Sequence, residues 1–459
     1  MQERLQYEKN PKKNMPKVTI IMPSLNVVKY IRPCIESVIS QTLKELEILI
    51  IDAGSSDGTL EILQEYALID KRICIIHSKK KSYGYQVNLG IELAAGEYIG
   101  VVETDDMVCG DAYETLYTIA SQTNAEYVKG TFEKFVDLGN GTQWNDAMGT
   151  PLSQANMINK IISPQSMPEL FLRDIYLWSG VYKKEFITQI RLNETAGAAY
   201  QDVGFLFQTM HLAKRAVYLD KAVYQYRQDN GASSSFNKNG FHYLVEEYAY
   251  IRQFLCNVSD SWKKAYYCRM IDQTIARFRN MAVSGKMWGE TEGDISILRK
   301  QLIYACENKI VNQTDLEPEK WHQLSLLLQG TKELYEEYIK IFQQKTRTIN
   351  NMFKVIGERK VVIFGCGRYG KYFHALLMNK CAENAVAFCD NNSMLWQTEI
   401  QGLRVLSPKN AVEQFPKSIY VIANLRNADA IKTQLIQMGI GEKNICVWQE
   451  NPDMLLLRM

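Results

Sequence analysis

Acidic residues at three separate places carry the strongest chemical signal in this sequence. Asp52 ends one apolar run, the acidic run Glu103–Asp106 ends another, and Asp202 precedes a third. Paired carboxylates supply the oxygen ligands that a hard divalent cation prefers, and such a cation can neutralise a diphosphate. A single carboxylate can accept hydrogen bonds from a base or ribose, or take a proton as a general base. Taken alone, Asp52 is explained equally well as a turn cap, and Glu103–Asp106 as a solvated loop.

The elements around these acids should bring them together. Apolar runs bounded by turn residues predict four strands, at 18–22, 46–51, 73–77 and 97–102. Helical periodicity lies between them, and this alternation favours an α/β protein with a doubly wound, mostly parallel sheet. The carboxyl ends of the strands line the ligand crevice in such a sheet. We therefore expect Asp52 and Glu103–Asp106 to face one cleft.

Five short motifs follow one another in a fixed order. They are Pro23-Ser24-Leu25-Asn26, Ile51–Thr59, Asn88–Ile91, Ala95–Ile99 and Glu103–Asp106. Over residues 17–235 this series resembles the family 2 glycosyltransferases of GT-A fold. Each motif is weak alone, but the set in family order is specific. The resemblance implies inverting transfer from a nucleotide sugar, with Mn²⁺ or Mg²⁺ bound against the diphosphate.

The donor-side residues take their roles from this resemblance. It implies that the nucleotide sugar contacts Pro23, Ser24, Asn26, Asp52, Asn88, Glu103 and Arg227. Asp105 matches the metal-ligating acid, and Glu103 stands where the family usually has Asp. Two positions depart from the family pattern: Ala53 replaces a frequent second Asp, and Val87 occupies a position often held by Arg.

The acceptor side is indicated by Asp202. The segment Tyr200–Phe205 resembles the family's Glu-Asp-x-x-Phe motif, with Gln201 in the Glu position, and the resemblance makes Asp202 the general base. Inversion at an anomeric carbon needs a carboxylate that takes the acceptor hydroxyl's proton as its oxygen attacks. The alternative is that Asp202 is the N-cap of a helix.

Two further residues have both a binding and a structural interpretation. Trp178 resembles the family's Trp that precedes a Lys-rich strand–helix edge. Binding of the acceptor by stacking on a sugar face is one interpretation, and an amphipathic core Trp is an equal alternative. Tyr226-Arg227 followed by Ser233–Ser235 resembles the family's closing segment. Arg227 would clamp a phosphate there, or form a surface ion pair.

A second nucleotide-like motif lies near the carboxyl terminus. Gly365, Gly367 and Gly370 follow a predicted strand and open a predicted helix, and Asp390 ends the next strand. This is the context that a dinucleotide-binding loop requires. No Tyr-x-x-x-Lys pair follows residue 360. The segment also resembles Rossmann-like sensor or docking domains of bacterial sugar-processing enzymes, so an empty interaction domain and a nucleotide-binding domain both stay open.

The patterns divide the chain into four regions. We expect a lead-in at 1–16, the GT-A domain at 17–236, a helical segment at 237–350 and a smaller Rossmann-like α/β domain at 351–459.

Composition limits the other classes of protein. Fifty-three basic against 51 acidic residues give a net charge of +2 among 459 residues, which argues against a generally polybasic nucleic-acid binder. No apolar run is long enough for a transmembrane segment, and the ten cysteines form no CxxC pair. These features favour the cytoplasm, with peripheral contact at the inner membrane face if the acceptor is lipid-linked. A homo-oligomer stays open.

These observations lead to one main hypothesis and two alternatives. The main hypothesis is an inverting glycosyltransferase that moves a sugar from an NDP-sugar, with UDP favoured, to a hydroxyl of a glycan or lipid-linked saccharide. One alternative is an NAD(P)-linked oxidoreductase that uses the carboxyl-terminal domain. The other is a non-catalytic scaffold, which the departures at Ala53, Glu103 and Gln201 keep open.

Overall fold

The computed structural model describes residues 15–139, 142–152, 154–174, 176–197, 199–231, 237–284 and 292–450. The chain divides into two compact units, Met1–Glu133 with Ala147–Tyr335 and Lys134–Asp146 with Glu336–Met459. This division differs from the expected boundaries at 236/237 and 350/351, since most of the helical segment belongs to the first unit. Of the expected lead-in, only residues 15 and 16 are described.

The first half of the chain alternates strands with helices before its strands become antiparallel. The elements up to residue 227 are β1 (Val18–Ser24), α1 (Ile31–Ile39), β2 (Leu46–Asp52), α2 (Thr59–Ile69), β3 (Ile73–His77), α3 (Tyr83–Leu93), β4 (Tyr98–Val101), β5 (Met107–Val108), α4 (Ala112–Thr123), β6 (Tyr127–Gly139), β7 (Thr142–Met148), β8 (Ile161–Ile162), α5 (Leu170–Arg173), β9 (Gly180–Lys183), α6 (Lys184–Ile187), α7 (Gln201–Leu212) and β10 (Ala216–Arg227).

The large sheet has a parallel half and an antiparallel half. Its strand order is β3-β2-β1-β4-β9-β6-β10-β5. Strands β3, β2, β1 and β4 run parallel, while β9 pairs antiparallel with both β4 and β6. The predicted α/β class and parallel core are confirmed. The antiparallel half has its own role, because β10 brings residues near 227 beside those that follow β4.

The parallel half is buried on both faces. All seven residues of β1 and all seven of β2 are buried, as expected for central strands covered by helices on either side. Their register pairs Ser24 with Asp52 at the carboxyl ends. The two chain segments that follow these strands therefore start side by side, where the sequence places the donor-binding motifs.

Helices follow β10 and continue to residue 356. They are α8 (Gly240–Arg252), α9 (Asp260–Ser284), α10 (Glu292–Glu307), α11 (Pro318–Gln329) and α12 (Thr331–Ile356). Buried side chains on α8 include Phe241, Leu244 and Tyr248. These apolar faces explain why α8 packs with the first unit, where it contacts α7 and α9. No helix in the described part of the chain is long and apolar enough to cross a bilayer.

The second unit has its own smaller sheet. Its elements are β11 (Val361–Phe364), α13 (Arg368–Cys381), β12 (Ala385–Cys389), β13 (Glu399–Ile400), β14 (Leu403–Leu406), α14 (Pro408–Gln414), β15 (Ile419–Ile422), α15 (Ala428–Gln437) and β16 (Ile445–Val447). The order is β13-β14-β12-β11-β15-β16, and only the pair of β13 with β14 is antiparallel among these described strands. The predicted second, smaller α/β sheet is thus present.

A hairpin from the first half of the chain completes this second unit. Residues 134–146 of β6 and β7 cluster with it rather than with the strands that precede them. Asp146 accepts a hydrogen bond from Arg368 Nη2 at 2.7 Å, and Val136 belongs to the same apolar core as Phe373 and Trp448. No local pattern in the sequence indicates this partnership.

Close packing between α3 and β1 gives a first prediction. A Cβ at Gly90 would lie 2.5 Å from Ile21 Cγ2, and Ile21 is fully buried. Gly90→Ala should therefore lower the free energy of unfolding by about 1–3 kcal/mol, because the core cannot expand without strain. Urea denaturation measures this change.

The matched control is Gly293→Ala on α10, where an added Cβ meets no atom within 4 Å. It should leave the free energy of unfolding unchanged or slightly raised, because Ala favours a helix more than Gly. Equal stability of the Gly90 variant and the wild type would contradict the packing argument.

Candidate functional site

Three carboxylates gather where the chain leaves β4. Glu103, Asp105 and Asp106 each place a carboxylate oxygen within 4.8 Å of the others. Hard divalent cations prefer such oxygen ligands. The three acids are not equivalent, because the fold already uses one of them.

Asp106 faces inward and holds β10 in place. Its side chain is fully buried, and it accepts hydrogen bonds from the Tyr224 hydroxyl at 2.9 Å and from the Arg227 backbone N–H at 2.7 Å. Burial, followed by the charges of Asp105 and Glu103, raises the pKa of Asp106 well above its usual range. Glu103 and Asp105 are therefore the acids that remain for a cation.

Glu103 is held at a high pKa by its surroundings. Burial is the main cause, and the negative charges of Asp105 and Asp202 add to it, so that the pKa rises to about 8. A divalent cation beside these acids would reverse the effect, since it favours the ionised carboxylates. The extra methylene of Glu103 relative to Asp leaves its carboxylate within the acidic cluster.

Arg227 packs against the same acidic segment. Its side chain is 7% exposed, so the surface alternative does not describe it. Nε donates to the backbone oxygen of Asp105 at 2.9 Å, Nη1 pairs with Asp229 at 3.2 Å, and the guanidinium lies 4.9 Å from the centre of the Tyr30 ring. Asn230 donates to Asp105 Oδ2 at 2.7 Å. The predicted partner Ser233–Ser235 lies outside the described residues.

The loop after β2 is organised by Asp52. Its Oδ2 accepts the backbone N–H groups of Gly54 and Ser55, and its Oδ1 accepts the Ser55 hydroxyl at 2.6 Å. The turn-capping interpretation of Asp52 is thus realised in the structure, and its nucleoside contact stays a prediction. Asp52 is 1% exposed.

The loop after β1 is joined to the loop after β2. Asn26, with φ of 53°, donates its backbone N–H to Ser55 Oγ and accepts the Ser56 N–H on its side-chain oxygen. Asp57 accepts the Val28 N–H at 3.0 Å. These bonds fix the segment that contains Pro23 and Ser24, both of which line the cleft described below.

Asn88 forms hydrogen bonds within the fold and does not line the cleft. Its amide exchanges two hydrogen bonds with the backbone of Leu192, each 3.0 Å long, and donates to Glu194 at 3.1 Å. Its predicted donor contact is therefore unsupported by geometry. Gln86, two residues earlier on α3, does line the cleft and donates to the backbone oxygens of Ser24 and Ile51.

Asp202 lies in the first turn of α7, two residues after Tyr200, whose backbone is strained. The N-cap is Tyr200, with φ of 70°, so the N-cap interpretation of Asp202 is not realised. A left-handed backbone at a bulky residue costs energy and often marks a functional site. Burial raises the pKa of Asp202 to about 6, against the opposing charges of Arg269 and Lys129.

Gln201 explains one departure from the family motif. Its side-chain oxygen accepts the Gly84 N–H at 2.8 Å, and its Nε2 donates to the backbone oxygens of Asn193 and Thr195. A carboxylate could not donate to these two carbonyls. An amide therefore suits this position, and the departure does not by itself indicate lost activity.

Trp178 belongs to an aromatic wall. It stacks on Tyr224 with ring centres 4.1 Å apart and on Tyr176 at 4.5 Å, and Phe132 meets it edge-on. It is 4% exposed, so little of the indole is open to a sugar face. The core interpretation accounts for these contacts, and acceptor binding by Trp178 stays a prediction.

One cleft of about 640 Å³ collects most of the predicted site residues. Its lining includes Pro23, Ser24, Glu103, Asp105, Trp178, Asp202 and Arg227. It also includes Arg269 and Arg277 of α9, which the sequence interpretation left outside the site. Both arginines recur with Gln273 at a spacing of four residues, which puts the three side chains on one helix face and is the signal that could have identified them.

The predicted second nucleotide site is a smaller cleft of about 300 Å³ in the second unit. Gly365 has φ of 114°, and a Cβ at Gly370 would lie 1.8 Å from the Gly365 oxygen, so both glycines are required by the turn. Asp390 accepts the N–H groups of Cys366 and Asn392. Gly365 and Asp390 line the cleft, whereas Gly367 and Gly370 are not in its lining. Nucleotide binding here stays a prediction.

Two segments of the chain match known family models. Residues 19–180 match the model described as glycosyl transferase family 2. They form a family 2 glycosyltransferase domain. Residues 357–446 match the model described as C2185-like, N-terminal. The family predicted from the motif order is thus confirmed, and the acidic cluster of Glu103, Asp105 and Asp106 lies inside this glycosyltransferase domain.

Curated glycosyltransferases of bacteria resemble this chain over its first half. Glycosyltransferase GlyA of Streptococcus pneumoniae is 28% identical over 57% of this chain and 38% of its own length. GlyG of the same species is 27% identical over 47% of this chain and 72% of its own. YibD of Escherichia coli, named as an uncharacterized glycosyltransferase, is 28% identical over 51% of this chain and 68% of its own length. The match thus spans well under half of GlyA.

The solved structures confirm the fold. S. aureus TarS 1–349 in complex with UDP-GlcNAc superposes with a TM-score of 0.53 at 18% identity, over 72% of this chain and 92% of that chain. The same TarS fragment without a named ligand gives 0.50 at 17% identity. At this identity the likeness concerns the fold, and it supports the GT-A architecture of the glycosyltransferase domain.

Glu247 on α8 accepts a hydrogen bond from the backbone of α7. This residue was not identified from the sequence. It is 1% exposed, its Oε1 accepts the Gly204 N–H at 2.8 Å, and its Oε2 accepts from Asn193 at 3.2 Å. Burial raises its pKa to about 8, and the charge of Asp202 adds to the effect. At neutral pH the neutral form of Glu247 therefore predominates.

This raised pKa predicts a pH dependence of stability. The contribution of Glu247 is complete below the pKa it has when unfolded, and it is lost as pH rises through about 8. Glu247→Gln removes the titration, so its Tm should fall less than that of the wild type between pH 5 and 8.5. Thermal unfolding at several pH values measures the difference.

Glu247→Ala serves as the contrast. It leaves the Gly204 N–H unpaired and should cost about 1–3 kcal/mol at every pH in that range. Parallel Tm curves for the wild type and Glu247→Gln would show that Glu247 is ionised throughout, against this interpretation.

Proposed function

We propose that this protein is an inverting glycosyltransferase that moves a sugar from an NDP-sugar, with UDP favoured, to a hydroxyl of a glycan or a lipid-linked saccharide. The observation that carries the proposal is that Asp202 lines one cleft with Glu103 and Asp105, which lie inside the segment 19–180 that matches glycosyl transferase family 2. Likeness to TarS structures with UDP-GlcNAc and UDP supports the choice of UDP. A lipid-linked acceptor would require contact with a membrane surface.

Glu103 and Asp105 are suited to hold Mn²⁺ or Mg²⁺. Their oxygens lie within 4.8 Å of one another, and the third acid of the cluster, Asp106, is already hydrogen-bonded within the fold. A bound divalent ion would supply positive charge to the departing diphosphate. Arg227, beside Asp105 in the cleft, adds a guanidinium that can bind phosphate oxygens.

The donor's nucleoside would lie against the joined loops after β1 and β2. Pro23, Ser24 and Leu25 line the cleft there, and Ser24 Oγ is a buried hydroxyl without a hydrogen-bond partner among the described atoms. An unpaired buried hydroxyl gains from a bound polar ligand. Asp52 and Asn26 fix these loops, so their proposed role includes the shape of the nucleoside site.

Asp202 would act as the general base. Its carboxylate takes the proton of the acceptor hydroxyl while that oxygen bonds to the anomeric carbon and the bond from this carbon to the diphosphate breaks. With a pKa of about 6, Asp202 is ionised at neutral pH yet basic enough to accept a proton. Its place in the first turn of α7 keeps it in the cleft with Glu103 and Asp105.

The alternatives lack a comparable observation. The oxidoreductase hypothesis depends on the small cleft of the second unit, where both oxygens of Asp390 already accept backbone N–H groups. The scaffold hypothesis is weakened because Gln201 has a structural reason to be an amide and Glu103 remains within the acidic cluster.

Substitution of the base should stop transfer without loss of the donor. Asp202→Asn should lower the rate of sugar transfer by about 10²- to 10⁴-fold, because a general base contributes that much, while UDP affinity stays unchanged. The wild-type rate should also fall as pH drops below about 6. Steady-state transfer assays and calorimetric titration with UDP measure these effects.

Asp260→Asn is the control, since Asp260 is exposed in the first turn of α9 and outside the cleft. It should transfer sugar at the wild-type rate. A wild-type rate for Asp202→Asn would remove the base assignment.

Loss of a metal ligand should act on donor binding. Asp105→Ala should weaken binding of UDP in the presence of Mn²⁺ by about tenfold or more, and added Mn²⁺ should no longer strengthen it. Calorimetric titration with and without Mn²⁺ measures both quantities. Asp220→Ala, at an exposed acid of β10, should behave as the wild type; full metal-dependent binding by Asp105→Ala would contradict the assignment.

A further inference from the structure

One face of α9 forms a wall of the cleft, and it comes from a part of the chain that contains none of the donor motifs. Six of its residues line the cleft, each three or four positions from another member of the set: Arg269, Asp272, Gln273, Ala276, Arg277 and Asn280. Such spacing places side chains on one helix face. The donor motifs contribute residues 23–25, Val27 and residues 103–105 to the lining, so α9 forms a side of the cleft that these motifs leave unassigned.

Arg269 is a buried cation with little to bind. It is 6% exposed, its Nε makes no hydrogen bond, and Nη1 reaches only the backbone oxygen of Leu172, at 3.4 Å. In the described part of the chain it forms no ion pair, and its guanidinium lies 6.0 Å from the centre of the Phe171 ring. Burial of a charge without a partner is costly, so this arrangement favours an anion in the cleft.

The acids near Arg269 do not neutralise it through contact. Asp272, one turn along α9, is ion-paired with Lys320 at 2.6 Å. Asp202 is close enough for the charge of Arg269 to lower its pKa, but the two form no ion pair. Arg277, two turns further along the same face, donates to the backbone oxygen of Asn237 and lies beside the Tyr200 hydroxyl.

Asp202 connects the two sides of the cleft electrostatically. Its negative charge acts on Glu103 on the donor side, and it feels the positive charge of Arg269 on the α9 side. Asp202 and Arg269 line the same cleft, so a molecule that presents a hydroxyl to Asp202 can also extend toward α9. A negative group on that molecule would meet the guanidinium.

We propose that Arg269 anchors an acceptor subsite for an oxyanion, a phosphate or carboxylate that the acceptor carries near the hydroxyl to be glycosylated. The proposal rests on the proposed function, since it assigns the acceptor side of the same cleft. The planar guanidinium offers five N–H donors and binds phosphate or carboxylate oxygens in pairs. The bound anion would supply the partner that Arg269 lacks.

The test uses the full chain saturated with UDP and Mn²⁺, so that the donor side is filled. Glycerol 3-phosphate and glucuronate are the oxyanion probes, and glycerol and glucose are their neutral counterparts. Calorimetric titration should show that at least one oxyanion binds the wild type about tenfold or more tightly than its neutral counterpart. The stronger of the two oxyanions identifies phosphate or carboxylate as the preferred group.

Substitution separates Arg269 from general electrostatics. Arg269→Gln should weaken oxyanion binding by about tenfold or more, while the affinity for UDP with Mn²⁺ stays unchanged. Arg269→Lys should give an intermediate loss, because the ammonium keeps the charge but not the paired geometry. Arg279→Gln, the same substitution at an exposed position of α9 outside the cleft, should bind as the wild type.

Each contrary result has a distinct meaning. Equal oxyanion binding by the wild type and Arg269→Gln overturns the subsite. This holds even if Arg269→Gln shifts the pH profile of transfer relative to the wild type, because Arg269 would then act on Asp202 and not on the acceptor. If Arg269→Gln does not fold, unchanged oxyanion binding by Arg269→Lys also overturns it. Failure of the wild type to bind UDP would instead overturn the proposed function, whereas UDP binding without oxyanion binding overturns only this subsite.

Discussion

Repulsion among carboxylates at the end of β4 is the constraint on which the arrangement of the first unit depends. Glu103, Asp105 and Asp106 crowd within a few ångströms, and Asp202 adds a fourth negative charge to the same cleft. Such a cluster is tolerable only when each acid is protonated, hydrogen-bonded or met by a positive charge. Asp106 is hydrogen-bonded within the fold, and the raised pKa of Glu103 favours its protonated form. A cation bound beside Glu103 and Asp105 would reduce the remaining repulsion.

The antiparallel half of the sheet makes this cluster tolerable. Strand β10 returns beside the residues that follow β4, and there Tyr224 and the Arg227 backbone donate to Asp106 while Asn230 donates to Asp105. The same strand carries the Arg227 side chain into the cleft. The parallel half thus delivers the acids, and the antiparallel half supplies the donors that hold them.

The position of Asp202 depends on a different set of contacts. Gln201, next to Asp202 in the chain, accepts the Gly84 N–H of α3, and Glu247 of α8 accepts the Gly204 N–H of α7; both side chains are almost fully buried. Their hydrogen bonds hold the first turn of α7 against α3 and α8, which fixes Asp202 despite the strained backbone of Tyr200. Helices α8 and α9 are therefore part of the first unit, where α8 binds the first turn of α7 and α9 lines the cleft that contains Asp202.

Local patterns were sufficient for the elements and the family. Buried strands and amphipathic helices leave periodic signals over a few residues, and the carboxyl ends of parallel strands meet at one edge, so Glu103 and Asp105 could be predicted to line a cleft at that edge. Asp52 was expected in the same cleft, but it is not part of the cleft lining. The resemblance to the family motif supplied the proposed role of Asp202 as the general base. These predictions needed only short stretches of chain and one general property of parallel sheets.

Only the tertiary structure decided which of these polar groups form hydrogen bonds within the fold and which line the cleft. Asp106 turns inward to Tyr224, 118 residues away, and Asn88 to Leu192, 104 residues away. The membership of residues 134–146 in the second unit, and of Arg269 in the cleft, likewise depends on distant contacts. A hydrogen bond between residues so far apart leaves no periodic trace in the sequence, because either partner alone looks like any other polar side chain.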